Sequence, residues 1–248
     1  MYFVFSDVHG CYGEMKEVLK QWDRKKETLI FLGDMIDRGE ESYQVIRELM
    51  NLKNKYGSKV VVLKGNHEDM FMNWLYSPSC ERALNYYNGL HETLKSFYLI
   101  NPQKFKKDTR RQRGDYVKKH HSDMVSFINS LPTYYESEHC VFVHAGFNLE
   151  DPDWRMNTEA HLWIREGFYF SETIHDKRVF FGHTPTSYLH HSENEHSSWQ
   201  SYHGDKIGID GGCVSGGQLN ALRLNEFGEI TEEIFIEKSN IKREKIVQ

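Results

Sequence analysis

The sequence predicts an α/β fold in which central mixed β-sheets are flanked by helices, and three observations carry that prediction. Over the first third, short apolar runs alternate with segments of helical periodicity, the pattern of a parallel sheet with helical crossovers. Strand signals return at Cys140 and recur through the last part of the chain. The stretch between, about 71–138, is helical and irregular, and reads as a helical insert or cap within one catalytic domain over 1–248.

Each element has its own warrant. Tyr2 to Phe5, Thr28 to Leu32 and Lys59 to Leu63 are apolar and β-branched or aromatic, as strands covered on both faces must be. Glu14 to Trp22 and Glu40 to Lys55 carry apolar residues at helical spacing, among them Val45, Ile46, Leu49 and Leu52. Gly89, Pro102, Gly114 and Pro132 punctuate the insert. Further strands are expected at Cys140 to Val143, Arg178 to Phe181, Lys206 to Ile209, Gln218 to Leu224 and Glu229 to Ile236. Few helices separate the last three, so they suggest a second, more antiparallel sheet. Ser187 to Asp205 is polar with little periodicity and reads as a long loop or hairpin.

With 39% hydrophobic and 14% aromatic residues the chain has the material for a core and is no disordered polyanion. Its 31 Lys and Arg against 36 Asp and Glu leave a formal charge of −5, which excludes an overall basic nucleic-acid binder. Any anion must be met locally. The four cysteines, Cys11, Cys80, Cys140 and Cys213, form no C-x-x-C pair and fit a reducing compartment. Met1 to Phe5 lacks a signal-peptide pattern, and no apolar run approaches the roughly 20 residues of a membrane span. A cytoplasmic protein without membrane or stable nucleic-acid partners is expected.

The chemistry sits immediately after the strands. Ser6-Asp7-Val8-His9-Gly10, Gly33-Asp34-Met35-Ile36-Asp37-Arg38-Gly39, Gly65-Asn66-His67-Glu68, His144-Ala145-Gly146 and Gly182-His183-Thr184-Pro185 each follow an expected strand. Carboxyl ends of strands line the ligand crevice of open α/β sheets, so the five clusters should converge. They offer carboxylates from Asp7 and Asp34, imidazoles from His9, His144 and His183, and the Asn66 amide oxygen. This mixed nitrogen and oxygen set suits Mn, Fe, Zn or Co, and six donors exceed what one tetrahedral ion uses.

These clusters resemble the signature of the calcineurin-like metallophosphoesterases, in the phosphoprotein-phosphatase branch that includes symmetrical diadenosine tetraphosphatases. Asp34 to Gly39 and Gly65 to Glu68 match it without change; Ser6 stands where that family usually has glycine. The resemblance implies an αββα sandwich and two divalent transition-metal ions, Mn foremost. It implies that Asp7 and His9 hold the first ion, Asp34 bridges, and Asn66, His144 and His183 complete the second. His67 matches the general acid, Asp37 its carboxylate partner, and Arg38 a phosphate-binding arginine. Trp163-Ile164-Arg165 resembles the second such arginine, so Arg38, Arg165 and Asn66 are expected to meet substrate. The implied reaction is attack on phosphorus by metal-bound hydroxide, without a phosphoenzyme.

Phosphomonoesters, including phosphoserine and phosphothreonine, are the first expected substrates. Symmetrical hydrolysis of diadenosine tetraphosphate or a related dinucleotide is the alternative. A non-catalytic, metal-dependent RNA-binding module is the rival from another class, and His67, Asp37 and Arg38 speak against it. The basic run from Lys104 to Lys119 reads as a solvated helix face, with steering of a polyanion as the other reading. His190, His191, His196 and His203 lack a ligand register and are expected to be solvated.

Overall fold

The structure, a computed structural model, describes residues 1–77 and 88–238. The part of the expected insert at 78–87, with Cys80, lies outside the described residues. β1 (Tyr2–Phe5), β2 (Thr28–Phe31) and β3 (Val60–Val62) run parallel, joined through α1 (Tyr12–Gln21) and α2 (Ser42–Tyr56). α3 (Asn66–Tyr76) follows β3. The second sheet takes β4 (Tyr134–Glu136), β5 (Cys140–Val143), β6 (Arg178–Phe181), β7 (Trp199–Gln200) and β8 (Lys206–Gly208), in the order β4-β5-β6-β8-β7. β5, β6 and β8 are parallel, with an antiparallel strand at each edge.

The separate antiparallel sheet expected from residues 206–236 does not form. Lys206–Gly208 joins the second sheet in parallel, while β9 (Gln218–Leu224) and β10 (Ile230–Glu237) return to the first, whose order is β10-β9-β1-β2-β3. Burial explains the split. Leu219 and Ala221 pack toward the helices and Leu222 and Leu224 toward the other sheet, so β9 needs cover on both faces. β10 is more exposed and closes the edge. Likewise the polar stretch 187–205 is not all loop: it begins within a helical turn (Thr186–Leu189) and contains β7.

Alternation along the strands separates the layers. Val4, Ile30, Leu32, Phe142, Phe180 and Leu222 fill the space between the sheets. Phe3, Phe5, Leu29 and Phe31 point the other way, into the layer of Met15, Val45, Leu49 and Trp74. Val141, Val143, Val179 and Phe181 face Phe147, Trp154 and Phe168 on the far side of the second sheet. Helices, two sheets and an outer helical layer therefore stack as a sandwich.

The expected insert at about 71–138 is narrower than its bounds: its start completes α3 and its end holds β4 of the second sheet. The stretch between, the insert proper, supplies α4 (Leu90–Ser96), α5 (Pro102–Lys107), α6 (Arg110–His120) and α7 (Ser122–Asn129). Its Leu94, Phe97, Phe105, Val117 and Ile128 belong to the same buried cluster as Ile46, Leu49 and Trp74. Part of the positive charge of its basic run is partnered: Lys104 meets Asp108 at 2.9 Å and Lys118 meets Asp115 at 3.0 Å. Arg113 donates to the Phe105 carbonyl at 3.1 and 2.8 Å and lies over that ring. Among the described residues no helix is long and apolar enough to cross a membrane.

Candidate metal centre

The loops after the strands meet at one end of the two sheets, and backbone bonds lock them together. Asp7 N–H donates to the Gly33 carbonyl at 3.1 Å, His9 N–H to that of Asp34 at 2.9 Å and Gly10 N–H to that of Met35 at 2.9 Å. Gly182 N–H reaches the His144 carbonyl at 2.8 Å. The packing leaves no room for a side chain at Gly182, where a Cβ would sit 2.0 Å from Asp7 Oδ2. Asp7, His9, Asp34, Asp37, Arg38 and His183 all have positive φ, between 41° and 70°. L-residues avoid this region, at a cost of roughly 1–2 kcal/mol each, so the surrounding contacts must hold it.

Two buried groups of three donors result: His9, Asp34 and His67, and Asp34, His144 and His183, the atoms of each within 4.8 Å of one another. Asp34 shows one oxygen to each group. Its Oδ2 lies 3.4 Å from His9 Nε2, and its Oδ1 3.5 Å from His144 Nε2. Asn66 Oδ1 adds a donor 2.9 Å from His144 Nε2 and 3.1 Å from His183 Nδ1. Asp7 belongs to neither group. Its carboxylate accepts the His183 N–H with both oxygens at 3.1 Å and a bond from Ser6, the residue standing in place of the usual glycine.

The donor set fits divalent cations. His9 Nδ1 donates to the Ile36 carbonyl at 2.7 Å and His144 Nδ1 to that of Leu32 at 3.0 Å, so both rings turn bare Nε2 lone pairs inward. Burial pushes His9, His144 and His183 below the ordinary histidine range, which keeps these rings uncharged. Burial, Asp210 and Asp34 raise Asp7 well above the carboxylate range. Carboxylates and lone pairs facing one another out of water call for positive charge between them.

Beside this centre stands a braced imidazole. His67 Nδ1 bonds Asp37 Oδ2 at 2.7 Å, and although burial acts against it, Asp34 and Asp37 raise the His67 pKa. The Arg38 guanidinium reaches His9 Nε2 at 2.7 Å and His67 Nε2 at 3.1 Å. Arg165, between the short helices Thr158–Trp163 and Glu166–Tyr169, donates to Thr184 Oγ1 at 2.9 Å, beside His183. The structure thus gathers all ten residues singled out in the sequence around one centre, with Asp7 the least direct contributor.

Sequence reasoning assigned no task to Glu68 or Thr93. Glu68 accepts the N–H groups of Asp34, Met35 and Gly65 at 2.8–2.9 Å and clasps two site loops; its place in Gly-Asn-His-Glu was the available signal. Thr93, from the insert, bonds Asp37, and nothing in the local sequence pointed to it. A hydrogen bond from Cys213, joined by Lys238 Nζ at 3.0 Å from Cys11 Sγ, outweighs burial and brings Cys11 down to about 7.

The calcineurin-like phosphoesterase family model matches residues 2–230. The asymmetrical bis(5′-nucleosyl)-tetraphosphatase PrpE of Anoxybacillus flavithermus is 26% identical over 258 aligned positions, covering 93% of each chain. Among solved structures, a proposed diadenosine tetraphosphatase superimposes with a TM-score of 0.64 at 18% identity, over 96% of this chain and 94% of that one. A Saccharomyces cerevisiae serine/threonine phosphatase similar to human PP5 gives 0.61 at 14% identity, over 99% and 81%. At these identities the two structures speak for the fold alone.

Proposed function

The chain belongs to the calcineurin-like phosphoesterase family, and from that premise we propose that it is a two-metal phosphohydrolase whose substrate is a bis(5′-nucleosyl) polyphosphate. The observation that carries the reaction is Asp34, which shows one carboxylate oxygen to each of two buried donor groups. The substrate class rests on the end-to-end likeness to a bis(5′-nucleosyl)-tetraphosphatase. Phosphomonoesters, the first expectation from the sequence, would use the same centre, so they become the comparison in the test.

In this reading Asp7, His9, Asp34, Asn66, His144 and His183 hold two divalent ions, Mn foremost. Bound there, the ions would supply positive charge to the phosphoryl oxygens and acidify water. Arg38, from the loop after β2, and Arg165, at the start of the short helix Glu166–Tyr169, offer planar forks to those oxygens and orient the group. His67 gives the leaving oxygen its proton from Nε2, while Asp37 on Nδ1 fixes the ring and favours its charged form. A binding module would have no use for this pair.

The test is a panel of diadenosine tetraphosphate, p-nitrophenyl phosphate and a phosphoserine peptide, assayed with Mn-loaded protein. The dinucleotide should give the highest kcat/KM. His67→Asn should lower turnover by about 10²–10⁴ on esters with poor leaving groups and less on p-nitrophenyl phosphate, as loss of a general acid requires. No hydrolysis of any of the three with Mn, Fe, Zn or Co would overturn the reading.

A further inference from the structure

Asp37 is gripped at both ends by a residue of the insert. Thr93 Oγ1, fully buried on α4, accepts the Asp37 N–H at 2.8 Å and donates to Asp37 Oδ1 at 2.6 Å. A hydroxyl carries one proton, so in the 3.3 Å contact with Ser42 the Ser42 hydroxyl must be the donor. Oδ2 is thereby left facing His67 Nδ1 at 2.7 Å. Ser96 Oγ donates to the Thr93 carbonyl and accepts the Tyr43 N–H, which ties this turn of α4 to α2.

The same helix also supports the backbone on which Asp37 sits. Asp37 and Arg38 are consecutive non-glycine residues with φ of 70° and 68°. Gly89, the N-cap of α4, packs directly on them: a Cβ there would lie 1.9 Å from Arg38 N and 2.6 Å from its Cα. Its own φ of 88° likewise favours glycine. α4 is therefore seated against the Asp37–Arg38 peptide, and Thr93 reaches from that seat to the carboxylate.

We propose that Thr93 is a positioning residue for proton delivery, setting the carboxylate plane of Asp37 and through it the direction of His67 Nε2. The insert then does more than cover the sheet; it fixes the geometry of the acid. This rests on His67 being the proton donor. A role confined to holding the insert in place would slow all substrates alike, whereas misaiming the acid weighs most on leaving groups that need a proton.

The experiment compares phenyl phosphate with p-nitrophenyl phosphate in Mn-loaded wild type, Thr93→Val, Thr93→Ser and His67→Asn, with ion content and melting temperature measured for each. Thr93→Val keeps the shape and removes both hydrogen bonds. It should lower kcat on phenyl phosphate on the order of tenfold more than on p-nitrophenyl phosphate, a fraction of what loss of the acid itself costs. Thr93→Ser should restore most of the difference. If Thr93→Val does not fold, Thr93→Ala, which demands no space, carries the same comparison. Equal losses on both esters, or a Ser variant as impaired as Val, overturn the proposal while a selective loss in His67→Asn leaves the acid in place. No selective loss in His67→Asn would remove the proton-donor reading and this inference with it.

Discussion

The loops of the candidate metal centre and the helices of the insert are built by opposite rules. Six of the seven non-glycine residues with positive φ among the described residues lie in the centre, and none lies in the insert. The centre buries Asp7, His9, Asp34, Asp37, Asn66, His67, Glu68, His144 and His183. The insert instead follows local preference: Asn101 caps α5, and Thr109 and Gln112 form a reciprocal capping box on α6. Local rules are broken where the geometry of a site overrides them, and the cost is offset by hydrogen bonds that cross between loops. The difference teaches where substitutions will act on chemistry and where on little at all.

The sharpest break should come at Asp34, the carboxylate shared by both donor groups. Asp34→Asn keeps the shape but removes the charge that faces His9 and His144. Turnover should fall by more than the roughly 10⁴-fold upper range for losing a general acid, and elemental analysis should find both ions depleted. Loss of one ion alone would mean that Asp34 serves a single group.

Glu68 tests whether hydrogen bonds hold the strained loops. Glu68→Gln leaves fewer acceptors for three backbone N–H groups, and each one orphaned in the interior costs roughly 1–3 kcal/mol. A fall of about 5 °C or more in melting temperature is expected for a chain of this size. In the insert, Asp115→Asn removes only the surface contact to Lys118, worth about 1 kcal/mol or less. Similar melting shifts in the two variants would erase the contrast.

The same contrast explains what could be read from sequence. The centre was legible because each cluster that follows a strand holds a glycine within two residues of a ligand, so motif and position coincide within a few residues. The fate of the chain after residue 205 was not: whether β9 joins one sheet or the other depends on which faces Ala221 and Leu222 must cover, and spacing alone does not say. Long-range partners were equally silent. Thr93 reaches Asp37 across 56 positions and Lys238 reaches Cys11 across 227, and neither pair leaves a local pattern. Asp7 shows the limit from the other side, since its motif position does not reveal that its oxygens turn to the His183 amide.

Acid should unfold the two kinds of region at different pH. His9, His144 and His183 are buried with lowered pKa, whereas the unfolded chain titrates near 6.5. Chelator-treated protein should therefore lose stability as pH drops below about 6.5, because the unfolded state binds more protons; His67, raised, opposes this in part. At the periphery, Arg155 and then Lys177 outweigh burial and hold Glu136 down to about 2, against an ordinary 4.5. Its contribution is present above 4.5 and lost as pH falls toward 2. Glu136→Gln should flatten only that lower limb of a melting-temperature profile, and a change at pH 6 would contradict the assignment.

The smallest effect is expected from the basic face of the insert, the feature that suggested steering of a polyphosphate. α6 packs at the far end of α3, where Gly114 meets Trp74. Trp74 stands eight residues beyond Asn66, about 12 Å along a helix that rises 1.5 Å per residue. A charge beyond that point is screened over about 10 Å at 0.1 M salt, so its pull at the centre is weak. Arg113 is spoken for by the Phe105 carbonyl and ring, which leaves Arg110 and Arg111 as the clean probes. Replacing both with Ser should change kcat/KM for diadenosine tetraphosphate by less than about threefold at about 0.1 M salt, and leave its salt dependence parallel to that of p-nitrophenyl phosphate. A steep, dinucleotide-specific loss in the double variant would mean that the insert acts on the substrate through its field.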